Sequence, residues 1–272
     1  MITEVLINGA PSDGLIPVTD SSVLRGDGCF EVLKSYEGMV FAIDEHIDRL
    51  RASAASLQIE LPDRADLASW IEKTAAELGT GAVRVVVTRG AGVPGLDDPS
   101  SVIVFGHGWD IPEGPARLFP VMAPWHAAGV DWDLAGAKII SYGPNMAAAR
   151  RARDEGFDDA VLLTIENVVL EGPTFSIAWV VDGVLETPGL DLGILGSITR
   201  RVVLDLAREA GIEVAEGRWG LDRLGGATEA MAMSTIREVQ PVVAVGEMNW
   251  DPGPITDLLA RGFARRTRGW QH

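Results

Sequence analysis

Cysteine occurs once in the 272 residues, at Cys29, so no intrachain disulfide can form and a small secreted scaffold stapled by disulfides is excluded. Lysine is nearly as scarce: Lys34, Lys73 and Lys138 account for three of the 23 basic residues, and the other 20 are arginine. Basic charge is itself in deficit, 23 against 39 acidic residues, which gives a formal net charge of −16. A surface that binds nucleic acid needs a basic field, and none is available in bulk. No stretch approaches the run of about 20 apolar residues that crosses a bilayer. The opening MITEVLINGAPSDG has neither a basic leader nor an apolar signal core, so the expectation is a soluble, cytoplasmic protein with no membrane partner. What is present is apolar material: 47% of the chain is hydrophobic, enough for a sizeable core in one large domain or two small ones.

The pattern along the chain predicts α and β elements intermingled in two lobes, not a doubly wound sheet. Glu4 to Asn8 reads as a short strand followed by a loop. Phe30 to Tyr36 and Val40 to Ile43 flank the turn pair Glu37-Gly38 and predict a hairpin. Asp44 suits the N-cap of a helix running to Leu57, with Ile47, Leu50, Ala54 and Leu57 on one face. A second helix fits Asp66 to Leu78, stopped by Gly79. Strands at Val83 to Thr88 and Val102 to Phe105 complete a small N-terminal α/β domain over residues 1–106. The Gly- and Pro-rich 107–115 reads as a linker, and 116–272 as a larger C-terminal domain with mixed sheets. There, Phe175 to Val181 and Val184 to Thr187 flank Asp182-Gly183, a strong hairpin signal. Helices are predicted over Pro144 to Glu155, Ile198 to Ala210 and Pro254 to Arg265.

Several motifs fail. Gly90-Ala-Gly-Val-Pro-Gly95 matches a dinucleotide fingerprint, but Pro94, Asp97, Asp98 and Pro99 forbid the helix that must open there, and a hairpin loop fits better. His46, His107, His126 and His272 are scattered without ligand spacing, so no metal site is expected.

Four features carry chemistry. Lys138 is the only lysine in the last 199 residues and lies in the apolar, small-residue setting Ala135-Gly-Ala-Lys-Ile-Ile-Ser141. Desolvation there would ease loss of its proton, as Schiff-base formation requires, although a lysine with a buried stem and solvated head is the commoner outcome for the residue type. Gly193-Ile-Leu-Gly-Ser-Ile-Thr-Arg200 leads two glycines into a helix start, whose unpaired N–H groups suit a single phosphate; a plain serine cap reads the same way. Arg49 is a second anion partner, unless it pairs on the surface with Asp44, Glu45 or Asp48. Glu171 ends an apolar strand before Gly172-Pro173, where a buried carboxylate needs a cation or a protonated donor. An amine, an anion cradle, an arginine and a carboxylate form the inventory for holding pyridoxal 5′-phosphate.

From about Val5 to Val245 the chain resembles the fold-type IV pyridoxal-phosphate enzymes, the class IV family of branched-chain and D-amino-acid aminotransferases and 4-amino-4-deoxychorismate lyase. The resemblance rests on Arg25-Gly-Asp-Gly-Cys-Phe-Glu31, Glu45-His-Ile-Asp-Arg-Leu50, Lys138 with Tyr142 and Asn145, Leu170-Glu-Gly-Pro-Thr174, Leu195-Gly-Ser-Ile-Thr-Arg200, and Ser234-Thr235 before Pro241-Val242. It implies a two-lobed fold and an aminotransferase working through a Schiff base on Lys138, between an amino acid or amine donor and a keto acid acceptor. Glu171 would hold the ring nitrogen protonated. Arg49, the N–H groups of Ile198 and Thr199 and the Thr235 hydroxyl would take the phosphate, and Tyr142 would approach the phenolic oxygen, although it follows the lysine by four residues where the branched-chain enzymes have five. Ser234 and Ile236 would meet the substrate carboxylate in their turn, and Arg89, at a strand end, is a further candidate for it. Two departures stand out: Glu-Gly-x-x-x-Asn becomes Glu171-Gly-Pro-Thr-Phe-Ser176, and Gly-Ile-Thr-Arg becomes Ser197-Ile-Thr-Arg200. The resemblance also implies a homodimer. The alternative activity is the lyase reaction, release of 4-aminobenzoate and pyruvate.

Overall fold

The structure, a computed structural model, describes residues 2–91, 100–109 and 111–268. It forms two compact units. One comprises Met1–Asp110 together with Ala137–Tyr142, the other Ile111–Gly136 together with Gly143–His272.

The first unit is an antiparallel sheet backed by helices. Its strands are β1 (Val5–Ile7), β2 (Ala10–Ser12), β3 (Gly28–Tyr36), β4 (Met39–Val40), β5 (Gly81–Thr88) and β6 (Ser101–His107), in the order β2-β1-β6-β5-β3-β4. A short helix, α1 (Ser21–Arg25), precedes β3. In β5 the period-2 pattern sends Val83, Val85 and Val87 into the core and Arg84 and Val86 to the opposite face. Helices α2 (Ile43–Ser56) and α3 (Arg64–Leu78) cover the core face with Ile47, Leu50 and Ala54 and with Leu67, Ile71 and Ala75, spaced three or four apart as a 3.6-residue period requires.

Local departures from the sequence reading have local causes. The loop expected after Glu4–Asn8 is a second hairpin: Asn8 and Gly9 both take positive φ and bring Ala10 opposite Ile7. Asp44 is not the cap of α2. Ala42 holds that position in the left-handed region without a side-chain bond, and Asp44 falls in the first turn, where its charge still opposes the helix dipole. The second strand of the Glu37-Gly38 hairpin is two residues long, because α2 begins at Ile43. Gly79, in the left-handed half of the backbone map, ends α3 as expected. The Gly90–Gly95 motif lies mostly outside the described residues.

The second unit holds β7 (Ala116–Met122), β8 (Asp159–Leu163), β9 (Ser176–Val181), β10 (Val184–Pro188), β11 (Val214–Gly217), β12 (Glu229–Ser234), β13 (Glu238–Val245) and β14 (Met248–Asn249). They form one mixed sheet, β11-β10-β9-β12-β13-β7-β8, with β14 on β13. Asp182 and Gly183 take positive φ and set Val184 opposite Val181, as the Asp-Gly signal predicted. Helices α4 (Gly143–Asp154), α5 (Ile198–Glu209) and α6 (Pro254–Arg268) complete the unit. Phe175, Ile177, Trp179, Ala230, Ala232 and Val242 belong to its main core. No described helix is long and apolar enough to cross a membrane.

Candidate active site

Lys138 belongs to the first unit through the short segment Ala137–Tyr142, which lies against the start of β3. Phe30 N–H donates to the Lys138 carbonyl at 3.0 Å, and Ile140 N–H donates to Gly28 at 2.9 Å. Lys138 N–H in turn donates to the Ser53 hydroxyl of α2 at 3.0 Å. The lysine backbone is thus pinned to a strand and a helix at once. Its Nζ sits 4.4 Å from the Phe30 ring centre and 5.7 Å from that of Tyr142, and the two rings meet edge to face at 5.2 Å. The two aromatic faces favour a cation at that position.

The glycines of Arg25-Gly-Asp-Gly28 make this approach possible. A Cβ on Gly28 would stand 2.3 Å from the Val87 carbonyl oxygen and 3.0 Å from Ile140; one on Gly26 would stand 2.3 Å from the Ser141 hydroxyl. Both close approaches are below van der Waals contact, so only glycine admits the lysine segment at this spacing.

Asp44 and Asp48, acidic helix neighbours of Arg49, are taken by Arg64. Arg49 Nε and Nη2 donate to the buried Glu31 carboxylate at 2.6 and 2.8 Å, and His46 Nδ1 donates to the same group at 2.8 Å. Burial pushes the Glu31 carboxyl up, but the charges and hydrogen bonds of Arg49 and His46 outweigh it and hold the group well below the usual carboxylate range. Burial pushes His46 below its ordinary value, only partly countered by Glu31. Burial also pushes the neighbouring Cys29 thiol up to about 12, which makes it chemically inert.

Arg89 is committed elsewhere. Its guanidinium bonds Asp27 at 2.6 and 3.2 Å and the Leu57 carbonyl at 2.5 Å, tying the end of β5 to the end of α2, so a substrate carboxylate would have to displace these contacts. The arginine that sequence reading missed is Arg84. It stacks 5.6 Å from Phe30 and 5.9 Å from Trp109, and no carboxylate among the described residues pairs with it. The alternation of β5 was the available signal, since it places a charge on the sheet face that carries Phe30.

In the second unit, both oxygens of Glu171 accept from Leu195 N–H, at 3.3 and 3.4 Å. Asn145 at the start of α4 donates to the Pro173 carbonyl at 3.1 Å and braces the turn after Glu171. Leu195 lies in the loop that enters α5, where the Ser197 hydroxyl caps Arg200 N–H at 3.2 Å. The next donors, Ile198 and Thr199 N–H, are in buried residues and meet no acceptor among the described residues. A carboxylate at one end of a glycine loop and orphan helix donors at the other suit a group with a basic ring nitrogen and an anionic tail. Ser234 ends β12 and Thr235, Ile236 and Arg237 form the turn after it, where the Ser234 hydroxyl accepts Arg237 N–H at 3.1 Å. Among the described residues no cluster of His, Cys, Asp or Glu could hold a metal ion.

Residues 28–245 match the family model for amino-transferase class IV, and the chain belongs to that family. A Methanocaldococcus jannaschii protein assigned as a branched-chain-amino-acid aminotransferase is 34% identical over 98% of this chain and 97% of its own. A D-alanine aminotransferase of Listeria monocytogenes is 30% identical over 96% and 94%. An aminodeoxychorismate lyase of Bacillus subtilis also matches, at 27% over 98% and 96%. Among solved structures, the branched-chain aminotransferase of the thermophilic archaeon Thermoproteus uzoniensis with norvaline superposes with a TM-score of 0.87 at 26% identity, covering 97% of this chain and 94% of that one. The mixed α/β architecture with two sheets is that of the fold-type IV aminotransferases.

Proposed function

We propose that the chain is a pyridoxal 5′-phosphate-dependent aminotransferase that uses Lys138 as its reactive amine and passes an amino group from an amino acid or amine to a keto acid. The observation that carries this is the double anchoring of the Lys138 backbone to Phe30 and Ser53, which fixes one amine beside two aromatic rings. When bound, pyridoxal 5′-phosphate supplies a carbonyl carbon for amine exchange and a ring that draws electron density from the substrate α-carbon. Lys138 Nζ removes the α-proton and returns it, one nitrogen serving as base and then as acid. Glu171 would keep the ring nitrogen protonated. Arg49, Ile198 N–H, Thr199 N–H and the Thr235 hydroxyl would hold the phosphate, and Tyr142 would serve the phenolic oxygen. Substrate carboxylate falls to Ser234 and Ile236 in their turn and to Arg84, whose charge is uncompensated by any described carboxylate, in preference to Arg89.

Borohydride reduction of the cofactor-loaded enzyme followed by peptide mapping tests the lysine; the expected label is on Lys138, and a label elsewhere or nowhere overturns the assignment. A panel of L- and D-amino acids with one amine tests the reaction. Conversion of the bound cofactor to its pyridoxamine form supports transamination. An unchanged spectrum, with pyruvate released from aminodeoxychorismate, identifies the lyase instead.

The protein is proposed to be cytoplasmic and to act as a homodimer. Support for the dimer comes from the first unit, where Leu15, Val18, Val23 and Leu24, close together in the chain, are each more than half exposed. Size-exclusion chromatography should give about twice 29.0 kDa; a lone monomer peak would refute the dimer.

A further inference from the structure

The turn that follows Ser234 carries a mostly buried charge. Arg237 is 14% exposed, its Nη2 donates to Asp159 Oδ2 at 2.6 Å, and its Nη1 donates to Gln240 Oε1 at 2.7 Å. The guanidinium also lies 4.7 Å from the centre of the Phe175 ring. That ring covers Gly172, where a Cβ would stand 2.2 Å from it, and Gly172 N–H donates to the Phe175 carbonyl at 2.7 Å. Gly172 is the residue after Glu171. One side chain therefore ties the β12–β13 turn to the start of β8 and, through Phe175, to the turn that follows Glu171.

The pair is poorly explained by stability alone. Burial pushes the Asp159 carboxyl above its ordinary value, against the Ala160 N–H and Arg237, and burial pushes Arg237 down against Asp159. A buried ion pair commonly adds little to stability over apolar residues of like volume. What an apolar substitute would lose is direction: a planar fork fixes the turn at two acceptors and a ring face simultaneously.

We propose that Arg237 is a positioning residue that sets the Ser234–Ile236 turn and the Glu171 turn in register, so that the phosphate donor Thr235 and the ring-nitrogen partner Glu171 address one cofactor together. The proposal rests on the cofactor assignment given under Proposed function. Its action is through Thr235 and Glu171; Arg237 itself touches neither substrate nor cofactor.

The test compares Arg237→Met, Arg237→Lys and Asp159→Asn with Arg223→Met, which removes the partner of the buried Glu186 in the same unit and stands as a control for lost stability. For each, the dissociation constant for pyridoxal 5′-phosphate and the absorbance of the bound cofactor across pH are measured, along with Tm. Arg237→Met should weaken cofactor binding roughly tenfold or more and shift the pH-dependent absorbance, since small misplacements at a site are costly. Arg237→Lys should recover part of the affinity, and Arg223→Met should lower Tm alone. If Arg237→Met fails to fold, Arg237→Lys and Asp159→Asn decide, each expected to weaken binding at temperatures where it is folded. Wild-type affinity and spectrum in every folded Arg237 and Asp159 variant would overturn the proposal, as would equal cofactor loss in Arg223→Met. Failure of the wild-type protein to take up the cofactor would instead overturn the functional assignment beneath it.

Discussion

Arg49 and Glu31 face each other as a two-pronged ion pair, 2.6 and 2.8 Å apart, with the carboxylate 1% exposed and the arginine 14%. His46 and Arg49 are three positions apart on α2, so one helix face delivers both donors to one carboxylate on β3. A pair this enclosed is costly to break from one side, because the survivor is left charged and dry. Glu31→Gln should destabilise the protein by about 3 kcal/mol in chemical denaturation. A loss below about 1 kcal/mol would mean that the pair is solvated in practice.

Stability should also depend on pH through His46. Its folded pKa lies below the ordinary 6.5, so below that value the unfolded chain binds the additional proton and stability declines with falling pH; above it this residue contributes no slope. Glu31 acts in the same sense at lower pH, because its stabilisation is present above the usual carboxylate range and is lost as pH falls through its depressed folded value. Denaturation midpoints between about pH 6.5 and 5.5 should fall in wild type and flatten in His46→Asn. Parallel curves for the two proteins would remove His46 from the account.

Arg84 should govern substrates by their carboxylates. Arg84→Leu should lower kcat/KM for a dicarboxylic keto acid about 10- to 100-fold, the loss expected for a charged hydrogen bond, mainly through KM. An unaltered profile across mono- and dicarboxylic acceptors would return Arg84 to a purely packing role on Phe30 and Trp109.

Ser197 tests the anion end. Ser197→Ala removes the cap on Arg200 N–H and should cost about 1 kcal/mol of stability. It also leaves a further unpaired N–H at the mouth of α5, so competition by inorganic phosphate for the cofactor should change only modestly. A complete loss of cofactor binding would show that the hydroxyl is itself an essential ligand.

How far the site could be read in advance depends on the range of the interactions. Residues that act near their own chain neighbours were legible: Ser197 as a cap, Asp182-Gly183 as a turn, Gly79 as a stop; the strand expected to end at Glu171 is instead a pair of isolated bridges at Val168 and Val169. Residues defined by distant partners were not. Asp44 and Asp48 are nearer to Arg49 in the chain than Glu31, yet Arg64 takes both while β3 brings Glu31 under α2, where burial strengthens the pairing. Arg84 on β5 and Arg89 just past its end are five positions apart, and only distant neighbours, Asp27, Leu57 and Trp109, separate an anchored guanidinium from one with no described acid beside it. The packing of Ala137–Tyr142 with the first unit is likewise invisible in chain order, since residues on both sides of it belong to the second.

The absence of a methyl group at Gly28 has a reach beyond its own turn. Alanine there would collide with the Val87 carbonyl and press on Ile140, two positions from Lys138. Most of β3 would keep its ladder to β5, so the injury should surface as an amine out of alignment within an otherwise intact domain. A protein that still melts cooperatively but has gone colourless is the signature to look for, and it places the tolerance of this enzyme to mutation at a residue with no side chain to lose.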